Sequence, residues 1–392
     1  MNKSVYFDHA ATTFVKDEVL KEMLPYFTEN FGNASTVYQI GQKSKSALDN
    51  ARERVAKVFN CLPNEIFFTG SGSEADNWAI KGFAYANKNK GNHIITSSIE
   101  HHAVLHTCKA LEKDGFEITY LPVDENGKVS VEDVRSAIKD TTILITVMYA
   151  NNEIGTIQPI KEIAEIAKEK GVAFHTDAVQ AAGAVNIDLS ELKVDMMSLS
   201  AHKFNGPKGV GALFVRRGIK LKNLIDGGAQ ERARRAGTEN IPGIIGLAAA
   251  LELAAGSLEE KNKKITALRE YIIKNIEEKI PYCRLNGHRT DRLPGNINFS
   301  FEFIEGESLL LWLDINGIAA SSGSACTSGS LDPSHVLLAI GLKHETAHGS
   351  LRITLGEENT YEEADYLIEK LVEIVEKLRA MSPLYEGVKG DK

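Results

Sequence analysis

The stretch that decides the fold is IKEIAEIAKEKGVAFHTD, running from Ile160 to Asp177. Ile160, Ile163, Ala164 and Ala167 recur at the spacing of a helix with one apolar face. Gly171 can take the left-handed conformation that ends such a helix, and a β-rich run over 172–176 starts at once. A helix passing so directly into a strand is half of a crossover between parallel strands. The same alternation extends outward from about Ser35 to Gly256, with candidate strands at 66–69, 93–98, 118–122, 143–150, 172–176, 196–200 and 212–215. The class predicted is α/β, a mostly parallel seven-stranded sheet covered by helices.

After Gly256 the texture changes. A charged helical stretch over 257–280, a strand-like run over 295–303 and an amphipathic helix over 361–381 suggest a smaller α+β domain. The expected division is a large domain over 14–256 and a small one over 1–13 and 257–392. No repeat is visible, and only the polar tail at 386–392 reads as disordered.

Composition narrows the function. In 392 residues, 43% hydrophobic, the formal charge of −8 lacks the basic excess of a nucleic-acid binder, so small molecules and protein partners are expected. Cys61, Cys108, Cys283 and Cys326 lie too far apart for a disulfide framework or a metal cluster, which fits a reducing cytoplasm. The N-terminus has no apolar signal region, and the small-apolar run 241–256 contains Pro242 and Glu252, so neither export nor a membrane anchor is expected.

Ligands of a parallel sheet gather at the carboxyl ends of its strands. Gly70 to Ser73, Glu100 to His102, Asn151 and Asn152, Asp177 to Gln180, and Ser200 to Lys203 each follow a candidate strand, so all five groups could line one crevice. In Ser198-Leu-Ser-Ala-His-Lys203 a lysine sits at a strand end beside hydroxyls and His202. Partly desolvated, it could lose its proton and attack an aldehyde; a lone lysine would more often be a surface residue. Asp177 could pair with a pyridine nitrogen or simply cap a helix-prone segment at 178–182, and spacing alone does not choose. Gln180 could donate to a ring oxygen.

Gly70-Ser-Gly-Ser-Glu-Ala75 joins a strand to a helix, so its N–H groups and Ser73 could bind a phosphate. Gly70, Gly72 and Ala75 also match the dinucleotide fingerprint, but Glu100 follows about thirty residues after Gly70 where about twenty is expected. That weakens a nicotinamide-dependent dehydrogenase. His101 could stack on a flat cofactor, while His102 is as readily structural, and adjacent histidines seldom aim at one metal ion.

Ser321-Ser-Gly-Ser-Ala-Cys-Thr-Ser-Gly-Ser330 is too poor in apolar side chains to be a core element. Cys326 is therefore expected on a mobile, solvent-reached loop, where a thiol is a liability unless its reactivity is used. Cys108 sits on a helix face with Val104, Leu105 and Leu111, and Cys61 and Cys283 read as packing residues. Arg352, in an alternating strand Ser350-Leu-Arg-Ile-Thr354, could clamp a carboxylate or be an ordinary exposed arginine.

Taken together the chain resembles the cysteine desulfurases of the NifS and IscS group, fold-type I pyridoxal-phosphate enzymes. The resemblance rests on Tyr6-Phe-Asp-His-Ala-Ala-Thr-Thr13, Phe31-Gly-Asn-Ala-Ser35, Asn151-Asn-Glu-Ile-Gly155, His175-Thr-Asp-Ala-Val-Gln180, Arg235-Ala-Gly-Thr238, the 321–330 run and Ala347-His-Gly-Ser-Leu-Arg352. Glu239-Asn-Ile-Pro and Ala347-His-Gly look nearer the NifS branch. Gly70-Ser71 and Phe204-Asn205 depart from the group's pattern.

The resemblance implies pyridoxal 5'-phosphate as cofactor and L-cysteine as substrate. Lys203 would be the Schiff-base lysine, Asp177 the ring-nitrogen partner, Gln180 the phenolate partner and His101 the stacking ring. Gly72, Ser73, Ser200 and His202 would hold the phosphate, with Thr238 reaching the other subunit of a homodimer. Asn152 would touch cofactor and substrate, and Arg352 the substrate carboxylate. Lys203 would then take the Cα proton, and Cys326 would attack the sulfur, leaving a persulfide and alanine. An iron-sulfur scaffold would be a fitting acceptor. A non-catalytic scaffold protein is the other class weighed, and the presence of Lys203, Asp177 and Cys326 argues against it.

Overall fold

The computed structural model describes residues 4–323, 333–383 and 385. Its strands in chain order are β1 (Val5–Tyr6), β2 (Ile66–Thr69), β3 (His93–Ser97), β4 (Glu117–Leu121), β5 (Thr142–Thr146), β6 (Ala173–Asp177), β7 (Met196–Ser200), β8 (Gly211–Val215), β9 (Cys283–Leu285), β10 (Asn296–Phe301), β11 (Ile318–Ala319) and β12 (Ser350–Thr354). A seven-stranded sheet has the order β2-β8-β7-β6-β5-β3-β4. All seven predicted strands belong to it. Every pairing from β7 to β4 is parallel, whereas β8 runs antiparallel to both its neighbours. The reason is the link of residues 201–210, too short for a crossover helix. That link carries Lys203.

The helix Ile160–Lys170 forms as its spacing predicts. Ile160, Ile163, Ala164, Ile166 and Ala167 are buried, Lys168 and Lys170 lie in the last turn, and Gly171 ends it at φ 67°. The following strand is buried along nearly its whole length, like β5, β7 and β8. This is why these strands read as continuous apolar runs. The sequence Met-Met-Ser-Leu-Ser of β7 is no strong strand former, but strand propensities span only about 1 kcal/mol. Burying one large apolar side chain contributes about 1.5–3 kcal/mol, so tertiary burial decides.

A second hydrophobic core gathers Val5 and Phe7 with residues from Ile265 to Leu378 around the sheet β12-β10-β9, and β1 pairs with β11 beside it. The helices Leu258–Lys279 and Tyr361–Ala380 cover it, the latter with a Thr360–Glu363 capping box. No single helix among the described residues is long and apolar enough to cross a membrane. The small-apolar run forms the helix Ile241–Gly256, largely buried against the large sheet's core.

Three expectations are corrected. The run at 143–150 is in the sheet only over β5, after which the chain turns toward the cleft. Residues 178–183 form turns rather than a helix, with Ala181 and Ala182 N–H groups both bonded to the Ala178 carbonyl. β12 keeps its alternation, but both of its faces are buried.

Candidate active site

A cleft of about 540 Å³ opens at the carboxyl ends of the parallel strands. Gly72, Ser73, His101, Asn152, Asp177, Gln180, Ser200, His202, Lys203 and Arg352 all line it. All five strand-end groups therefore contribute to one crevice. Thr238 does not reach it and is exposed. Cys326 lies outside the described residues.

Lys203 closes the short helical turn Ala201–Lys203 after β7. Its Nζ donates to the carbonyls of Ala10 at 2.6 Å and Ala11 at 2.9 Å. The N-terminal segment reaches other predicted residues as well: Gln180 Nε2 donates to the Ala10 carbonyl at 3.0 Å, and His202 Nδ1 lies 3.1 Å from Thr12 Oγ1. The departure at Asn205 has a physical reason. Asn205 adopts φ 63°, which asparagine tolerates; its backbone N–H donates to Thr13 Oγ1 and its side-chain amide to the Phe14 carbonyl. It fastens the lysine turn to the N-terminal segment.

Asp177 ends β6 as a buried carboxyl. Its Oδ1 accepts the Val179 N–H at 2.9 Å, so it caps a turn while lining the cleft. Burial pushes it up to about 6, with the Val179 N–H and the nearby Lys203 charge pulling the other way. Asp76, which the sequence reading missed, is a second buried carboxyl on the cleft wall. Its signal was a charged residue on the apolar face of Ala75, Ala79 and Ile80. Burial first, and then Asp177, raises it well above the usual range. Behind both, His175 bonds Thr146 at 2.8 Å and Ser198 at 2.9 Å, and complete burial lowers it to about 3, so its ring is neutral.

At the other end of the cleft, Ser71 caps the helix Gly72–Asn77 by accepting the Glu74 N–H. That gives the unusual Ser71 a role. A Cβ on Gly72 would stand 2.8 Å from Val179 and 3.2 Å from Ser200, so the backbone passes too close for any side chain. His101 caps the next helix, its Nδ1 accepting the Ala103 N–H at 3.1 Å. In the neutral ring the proton is therefore on Nε2. Burial, then the charge of Lys203, lowers His101 to about 4, and burial does the same for His202. Both imidazoles are neutral at pH 7.

Arg352 is 2% exposed, against the alternative of a surface arginine. Leu351 and Ile353 enter the second core, and the polar face of β12 packs toward the large sheet. Nη1 donates to the Asn152 carbonyl at 3.1 Å, and Nη2 pairs with Asp8 at 2.8 Å. Asp8 and the carbonyls of Ala10 and Ala11 are contacts no sequence pattern announced.

Glu100 does not enter the cleft. Its carboxyl accepts from Ser97 Oγ and the Met148 N–H, and burial pushes it up to about 8. It is not placed to bind a ribose, and the dinucleotide reading loses its acidic partner. Cys108 is buried and Cys61 half-buried, both thiols pushed up to about 12 by burial, and burial raises Cys283 too. These are packing cysteines.

The donor set fits a planar, anionic, nitrogen-bearing aldehyde: an amine, a buried carboxyl, a neutral imidazole and a crowded glycine turn with hydroxyls. Residues 5–367 match the aminotransferase class-V family. A cysteine desulfurase IscS of Clostridium botulinum is 62% identical over all of this chain and 99% of its own length. The cysteine desulfurase IscS of Methanosarcina thermophila is 60% identical over 98% of this chain and 95% of its own. A solved NifS-like protein superposes with a TM-score of 0.91 at 40% identity, covering 96% of this chain and all of that one. Both branch names occur among these likenesses, which do not separate them. The chain belongs to the aminotransferase class-V family and stands within it among the cysteine desulfurases.

Proposed function

We propose that this chain converts L-cysteine to L-alanine with pyridoxal 5'-phosphate and holds the sulfur as a persulfide on Cys326. The observation that carries the reading is the meeting of Lys203, Asp177, His101 and Arg352 in one cleft of a class-V chain. Pyridoxal phosphate, when bound, supplies an aldehyde that bonds amines and a ring that draws electrons from the substrate Cα.

Gly72, Ser73, Ser200 and His202 would hold its phosphate at the start of the helix Gly72–Asn77. Asp177 would hold a proton at the ring nitrogen; beside a cation its carboxyl ionises despite burial. Gln180 and Asn152 would bond the ring oxygen, and His101, neutral and fixed by Ala103, offers its flat face. Lys203 moves the proton from Cα. Arg352 and Asn152 orient the substrate by its carboxylate. The Cys326 thiolate attacks the substrate sulfur: an S–S bond forms, the C–S bond breaks, and its electron pair leaves with the carbon that becomes alanine.

The reading includes a large domain at 14–256, a small one at 1–13 and 257–392, and a homodimer. Thr238 is exposed away from its own cleft, as a residue serving the partner's phosphate site would be. Phe14, Phe27, Phe31, Val37 and Tyr38 expose an apolar surface of the kind subunits cover. A reducing cytoplasm and transfer to an iron-sulfur scaffold complete the proposal.

The test is Cys326→Ser. Given cysteine, it is expected to keep the cysteine-dependent spectral change and release almost no alanine. In the wild type, digestion without reductant is expected to give one added sulfur on the Cys326 peptide by mass spectrometry. Added sulfur on Cys61, Cys108 or Cys283, or alanine from Cys326→Ser at the wild-type rate, overturns it.

A further inference from the structure

Behind one cation of the cleft lies a carboxylate that the reaction does not use. Asp8 follows β1 and bridges to Thr354 of β12, which places it beside Arg352. Arg352 Nη2 pairs with Asp8 Oδ1 at 2.8 Å, with side chains 3% and 17% exposed. Nη1 is engaged by two carbonyls, Asn152 at 3.1 Å and Gly323 at 3.5 Å. Nε is buried with no hydrogen-bond partner among the described residues.

This arrangement restricts how another carboxylate can bind. A guanidinium grips a carboxylate with two parallel N–H bonds from one edge. With Nη1 committed to carbonyls, the edge left is Nε with Nη2, and Nη2 already carries Asp8. An incoming carboxylate completes the buried Nε but must share Nη2 with a like charge or take it over. In a site this dry that competition is poorly screened.

We propose that Asp8 is an affinity-determining residue, an intramolecular competitor for the substrate carboxylate at Arg352. The proposal rests on the reading that Arg352 receives that carboxylate. Between turnovers Asp8 keeps the buried guanidinium balanced and oriented. The product alanine bears the same carboxylate as cysteine, so the return of Asp8 to Nη2 also favours its release.

The experiment compares three ligands on the holoenzyme: L-cysteine, by KM; L-alanine, by its inhibition constant; and cysteamine, which has the amine and thiol without the carboxylate, by the change in cofactor absorbance on binding. In Asp8→Asn the KM for cysteine and the inhibition constant of alanine are each expected to fall about three- to tenfold. Cysteamine affinity is expected to stay put. Asp8→Ser, which cannot mimic the carboxylate's reach, is expected to shift in the same direction and covers a failure of the asparagine variant to fold. A rise in cysteine KM and alanine constant would show Asp8 to be a support for Arg352 and overturn the proposal. Tightening of cysteamine in step with cysteine would overturn it too, since the effect would not act through the carboxylate. Arg352→Gln distinguishes the underlying reading: it should weaken cysteine and alanine and spare cysteamine. If it leaves alanine unchanged, Arg352 is not the clamp, whatever Asp8 does.

Discussion

Lys203 and Arg352 enter the cleft from the sides of the two hydrophobic cores, and they are held in different ways. Lys203, at the end of β7, donates to the carbonyls of Ala10 and Ala11, whereas Arg352, on β12, pairs with the carboxylate of Asp8. Their surroundings differ in the same sense. On the seven-stranded side His101 and His202 are lowered to about 4, and Asp177 and Glu100 are raised to about 6 and about 8. Burial is the first cause of each, and each shift favours the uncharged form. A group that must give up or take a proton works best where burial keeps the uncharged form within reach. Arginine stays protonated at any working pH, so an ion pair orients it without changing its charge.

The largest expected effect breaks the neutral half of this contrast. Lys203→Ala and Lys203→Arg should both reduce alanine formation by on the order of 10³-fold or more once free cofactor is removed. Arginine keeps the charge and cannot yield its proton. Activity of Lys203→Arg within tenfold of wild type would mean that charge at this position, not proton transfer, is what the cleft needs.

The charged half is tested by Arg352→Lys. Charge is retained and the fork is lost, so the cysteine KM should rise about ten- to a hundredfold. An unchanged KM would reduce Arg352 to a point charge.

The smallest effect concerns Glu100. Its folded value, about 8, lies above its ordinary 4.5, so its contribution to stability is full below 4.5 and declines as pH rises toward 8. Glu100→Gln removes that titration. Relative to wild type the variant should gain a few degrees, roughly, of melting temperature at pH 8 compared with pH 5. A constant difference between the two proteins across that range would show that Glu100 is not held neutral.

The seven-stranded half was legible because its information is local. Apolar runs separated by helical periodicity locate the strands, and the rule that ligands collect at strand ends named Ser73, His101, Asn152, Asp177 and Lys203 before any coordinates. Asp76 was missed because a charge on an apolar helix face looks like an error of pattern until a cleft lies behind it. For Arg352 a carboxylate clamp and an ordinary exposed arginine stayed open, because alternation reports two unlike faces and does not say what covers the polar one. Here Asn296 and Asn298 of β10 and Arg352 of β12 point at the other half of the molecule, where the Glu153 and Asn152 carbonyls receive them.

By itself, then, the sequence determined the class of fold, the strand ends where chemistry collects and the family. These follow from periodicity, turn chemistry and residue type, which act over a few positions. Only the tertiary structure decided that Asp8 and Arg352, 344 positions apart, form one pair. The same holds for the carbonyls of Ala10 and Ala11 that restrain Lys203, for the neutral histidines and for the raised carboxyls. Desolvation and Coulomb forces depend on distance in space and on what excludes water, and neither quantity is carried by spacing along the chain.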